Sequence, residues 1–98
     1  MNKKIKKILE DKGFNIVRES QSFDLSMFTP AGEDWYICLN ALEDIEDYAN
    51  GFDPEEEFTK WINAKQQGFK GVPSVPELWK DQLWKQELLN KIVEEINQ

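Results

Sequence analysis

The sequence contains no histidine. That absence excludes histidine-based proton transfer, histidine metal ligation and any Ser-His-Asp or Cys-His triad built from this chain alone. Cysteine occurs once, as Cys38, which excludes an internal disulfide and a multi-thiolate zinc site and suits a reducing compartment. No run approaches the ~20 apolar residues that span a bilayer. The opening Met1–Lys7 has the charge of a secretory leader, but Glu10, Asp11 and Lys12 interrupt the apolar stretch that should follow. A cytoplasmic location is the expectation. Positive charge is in deficit: Lys and Arg number 12 against 19 Asp and Glu, a formal charge of −7. That balance argues against direct nucleic-acid binding through phosphate neutralisation. Gly68 and Gly71 lack the Gly-Lys-Ser/Thr flank of a phosphate loop, and no segment has the spaced ligands of a calcium loop. No enzyme, cofactor or metal is expected.

What is present suffices for one core. Hydrophobic residues make up 40% and four tryptophans are among them, too much apolar material for a disordered chain. Residues 1–98 are read as a single domain.

The hydrophobic period divides the chain. Ile5, Ile8 and Leu9 share one side of a first helix ending at Gly13. Three runs then alternate with period two: Phe14 and Ile16; Phe23, Leu25 and Met27; Trp35, Ile37 and Leu39. The turns between them are short, which favours antiparallel hairpins. Cys38 is expected as a small packed residue of the last strand. Asn40 and Glu43 have capping-box spacing before Leu42, Ile45 and Tyr48. Asp53-Pro54-Glu55-Glu56 opens another helix that buries Phe58, Trp61 and Ile62 and ends at Gly68. Gly71–Pro76 is a bend, and Ser74 with Glu77 begins the longest helix, residues 75–96. Leu78, Leu89, Ile92, Val93 and Ile96 form its broad apolar face, with Trp79 and Leu83 on one flank and Trp84 and Leu88 on the other. The expected fold is α+β, in the order αβββααα.

Charge is unevenly placed. Residues 33–57 carry ten carboxylates and no base, whereas residues 1–12 carry five lysines. A run of acids is ordinarily a solvated face. Concentrated in one patch, it would present carboxylates to a basic surface in place of nucleic-acid phosphates and would steer association. The candidate partner-binding residues are Glu43, Asp44, Glu46, Asp47, Glu55, Glu56 and Glu57, with Trp84 as an aromatic anchor. The lysines at 3, 4, 6 and 7 are read as a solvated face, with the acidic block of the same molecule or of a neighbour as a candidate attractor and contact with a phosphate backbone as the alternative.

The order Glu33-Asp34-Trp35-Tyr36, Gly51-Phe52-Asp53-Pro54, Trp61-Ile62 and Gly71-Val72-Pro73-Ser74-Val75-Pro76-Glu77-Leu78 resembles a group of small acidic proteins of bacterial plasmids, transposons and prophages, often found beside antirestriction genes. The resemblance covers about residues 33–90. It implies an accessory of mobile DNA that inhibits a host defence nuclease, a restriction enzyme or a CRISPR effector; it assigns no residue. The expected function is therefore stoichiometric inhibition through the acidic surface. The alternative is a homodimeric interaction module in which Trp79, Trp84 and Leu88 make the contact.

Overall fold

The computed structural model describes residues 2–66 and 74–98, without the side chains of 64–66. The expected stop at Gly68 and the start of the bend at Gly71 lie outside the described residues. Helix α1 (Lys3–Asp11) begins where Asn2 Oδ1 accepts from the Ile5 N–H at 3.1 Å. Ile5 and Leu9 are buried. Gly13 ends it at φ +106°, with the Phe14 N–H returning to Leu9 O at 3.1 Å. A side chain at Gly13 would be strained and would also meet the Met27 methyl, 3.3 Å from the position of a Cβ.

Strands β1 (Asn15–Arg18), β2 (Phe23–Phe28) and β3 (Asp34–Leu39) form an antiparallel sheet in sequence order. Ile16 pairs with Leu25 and Leu25 with Ile37, so these residues and their alternates share the inner face. Leu25, Trp35, Ile37 and Leu39 are buried there against Ile5 and Leu9 of α1 and Leu89 and Ile92 farther along the chain. The outer face carries Asn15, Val17, Asp24, Ser26, Phe28, Asp34, Tyr36 and Cys38 by the same alternation. Cys38 is consequently exposed, not packed, because its parity is opposite to that of Ile37 and Leu39.

A 3-10 turn (Leu42–Asp44) leads into α2 (Ile45–Asn50). The cap falls one residue later than Asn40 and Glu43 suggest: Asp44 Oδ2 accepts from the Ala41 N–H at 3.2 Å. Ala41 has no side-chain oxygen, so the reciprocal bond of a full box is missing. The shift lets both Leu42 and Ile45 reach the core. Helix α3 (Pro54–Gln66) starts as its sequence implies, with Asp53 Oδ1 accepting from the Glu55 N–H at 3.0 Å. Phe58, Trp61 and Ile62 are only half-buried, since α3 packs along α4 (Val75–Ile96) and outside the main cluster. Glu77 Oε2 accepts from the Ser74 N–H and hydroxyl at 3.2 and 3.0 Å, anchoring the α4 start.

The order αβββααα is therefore the architecture. The lysine-rich helix docks on the far end of α4: Lys4 Nζ donates to Ile96 O and Gln98 O at 3.0 and 3.1 Å, and Lys12 lies 2.5 Å from Glu95. The Lys4 contacts satisfy main-chain oxygens at the end of a helix, where a cation is favoured. Among the described residues, no helix is long and apolar enough to cross a membrane.

Candidate functional site

The buried stripe of α4 is polar in its first half. Leu78, Asp81, Gln82, Lys85, Leu89 and Ile92 are buried, a single helical face by their spacing of three and four. The turn between β2 and β3 supplies the partners. Thr29 Oγ1 donates to Asp81 Oδ2 at 2.5 Å and accepts from the Glu33 N–H at 2.9 Å; the Ala31 N–H donates to Asp81 Oδ1 at 3.3 Å. Lys85 Nζ is ion-paired to Glu33 Oε1, and both side chains are 1% exposed. Gln82 Nε2 bridges Glu33 Oε2 and Leu78 O at 3.3 and 2.9 Å. Burial pushes the Glu33 carboxyl above its ordinary range, and the Lys85 and Gln82 hydrogen bonds pull it back. Gln82 Oε1 is buried without a partner.

Above this pair, between β3 and α3, runs a groove of about 320 Å³. Glu33 and Lys85 form its floor; Asp34, Trp35, Tyr36, Glu57, Lys60 and Trp61 complete the lining. The Lys85 ammonium lies 5.3 Å from the Trp35 ring centre and 6.0 Å from that of Trp61, within cation–π range of both. Trp35 Nε1 donates to the Tyr48 hydroxyl at 3.2 Å, and burial pushes that phenol up.

A second cleft, about 230 Å³, joins the first through Glu57 and Lys60. It gathers Asp47, Asp53, Glu56 and Glu57 from α2, the α2–α3 connection and α3, with Lys60 the one base of its lining among the described residues. Asp47 and Glu56 are exposed, as is Glu55; Glu57 is half-buried, 3.9 Å from Lys60. Other members of the acidic stretch lie elsewhere. Glu43 lines a separate depression with Arg18 and Phe23, Asp44 is committed to its cap, and Glu46 is half-buried. Glu33, counted with the acidic run by its sequence position, is withdrawn from the surface by Lys85. Among the described residues, no group of three or more acids or cysteines is arranged to hold a metal ion.

Trp84 is half-buried, 6.1 Å from Trp35 and edge-on to it. Leu88 packs beside it on the core. Trp79 lies on the opposite flank of α4, edge-on to Phe58 at 5.3 Å. These three side chains do not share one exposed face. From sequence alone, neither Asp81, Gln82 nor Lys85 is singled out, and Glu33 counts as one of the acidic run. The signal was present: positions 81, 82 and 85 interpolate the apolar stripe Leu78, Leu89, Ile92 at helical spacing, which marks polar residues forced inside.

Compared with family models, with curated proteins and with solved structures, the chain matches nothing in any of the three.

Proposed function

We propose that this chain is a stoichiometric binding protein whose acidic cleft, with the groove beside it, engages a basic, nucleic-acid-binding surface of another protein. The observation that carries the reading is the convergence of Asp47, Asp53, Glu56 and Glu57 from separate segments around one cleft, with a single lysine among the described residues of its lining. Carboxylates so grouped sum their fields, which favours encounter with a positive groove and gives specificity over neutral partners. Binding rather than turnover is supported by Glu33: both its oxygens are engaged and it is 1% exposed, so it offers no free proton acceptor to a substrate. The resemblance of residues 33–90 makes a defence nuclease the first class of target to try.

The test uses charge reversal at exposed residues without capping roles. Asp47→Lys/Glu56→Lys should weaken capture of a basic, DNA-binding nuclease by about tenfold or more, while circular dichroism stays unchanged. Capture should fall with added salt and with competing duplex DNA. Glu43→Lys, in a different depression, should change it little. Retention of full affinity by the double variant would remove the acidic cleft from the interface.

A further inference from the structure

We propose that the groove between β3 and α3 receives an arginine side chain of the partner, its guanidinium stacked on the Trp61 indole and its N–H edges meeting the carboxylates of Asp34 and Glu57. The inference rests on the basic-partner reading above and names the group that enters.

Three observations support it. First, the groove already holds a cation against its indoles: Lys85 approaches Trp35 and Trp61 from below at 5.3 and 6.0 Å. Second, that cation is neutralised by Glu33 and both are 1% exposed, so the floor presents a neutral pair to an incoming charge. The accessible lining is then Asp34 and Glu57 against Lys60, whose ammonium is largely solvated and loosely held, 3.9 Å from Glu57. Among the described residues, one positive group is missing from the balance. Third, the site combines ring faces with two carboxylates, which suits a flat guanidinium that stacks and donates along its edges; an ammonium is a compact, strongly hydrated point charge and suits it less. A second copy of this chain is a poor occupant. Its one arginine, Arg18, is turned over its own Phe23 ring at 5.6 Å.

The experiment titrates the intact chain with a blocked hexapeptide of alternating arginine and glycine, and with its lysine and citrulline counterparts. Tryptophan indole N–H resonances report the site and fluorescence the affinity. The arginine peptide should move the Trp61 indole signal and bind roughly threefold or more tighter than the lysine peptide; citrulline, which keeps the shape without charge, should bind weakest. Trp61→Ala should reduce arginine binding to the lysine level. Because Trp61 also packs near Lys85, Asp34→Asn/Glu57→Gln, which removes both charges and keeps both shapes, serves as the second variant and should do the same with the fold intact. Equal binding of arginine and lysine peptides, or arginine binding untouched by this second variant, overturns the receptacle. Those outcomes leave the acidic-cleft reading standing, since that one fails only through Asp47 and Glu56.

Discussion

Lys85 and Glu33 pose the sharpest question at the scale of single residues, because an ionised pair taken out of water loses several kcal/mol of hydration per charge. The compensation is visible. Glu33 accepts from Lys85 on one oxygen and from Gln82 on the other, and the two indoles lie near the ammonium. Breaking the pair from one side is therefore far worse than removing it. Glu33→Gln leaves a buried ammonium without a counter-ion and should cost about 3–5 kcal/mol in urea unfolding, a large part of the ~5–15 kcal/mol that holds a domain of this size. Glu33→Leu/Lys85→Met, which removes both charges and keeps the volume, should fall within about 1 kcal/mol of the parent or exceed it. A double variant as unstable as the single one would mean that packing, not charge, holds this site.

Elements of regular period were legible, and those set by parity or by tertiary partners were less so. The inner residues of all three strands follow directly from alternation, yet the same alternation puts Cys38 outside, a consequence readable only once Ile37 is fixed as core. The α4 start at Ser74 and the α3 start at Asp53 are local chemistry and are where they were expected. Helical spacing marks 81, 82 and 85 as inward, but their partners lie in a turn some fifty positions earlier in the chain (Thr29 with Asp81, Glu33 with Lys85), and that pairing no local signal encodes. The acidic cleft was half legible: Asp47, Glu56 and Glu57 meet there, while Glu43 and Asp44 do not. The outer sheet face carries a prediction of its own. Phe28 and Tyr36 are 72% and 58% exposed there, and the Asp24 carboxylate beside Tyr36 holds its phenolic proton, pushing the pKa up to about 12. An acid raised in the folded state binds its proton more tightly there than in the unfolded chain, so the contribution is present below the ordinary tyrosine value and is lost as pH climbs towards 12. With Tyr48 also raised, absorbance at the tyrosinate band should stay flat through the usual range near 10. Asp24→Asn should bring one tyrosine back towards that range; an unchanged titration curve in the variant would exclude Asp24 as the cause.

For the whole molecule, the distribution of charge matters more than its total. Lys4 of α1 and Lys12 just beyond it are engaged with the distant end of α4, and Glu33 and Glu57 are the acids of residues 33–57 found beside an ammonium among the described residues. Asp47, Asp53 and Glu56 gather round one cleft instead, where like charges repel. Screening should relieve this, because the Debye length falls from about 30 Å at 0.01 M salt to about 10 Å at 0.1 M. The buried pair, shielded from solvent, should respond little. Thermal stability of the free protein should accordingly rise with sodium chloride over that range, by several degrees if about 1 kcal/mol is recovered, since that amount moves a domain of this size by ~4–8 °C. Choline chloride should act equally, which separates screening from cation binding. The Asp47→Lys/Glu56→Lys variant should lose most of the salt response while its affinity for a basic partner collapses. On the proposed function that opposition has one cause: the carboxylates that strain the free molecule are the ones assigned to the partner, so reversing them relieves the fold and removes the attraction together. A melting temperature independent of salt in the parent chain would show that these charges are too far apart to act together.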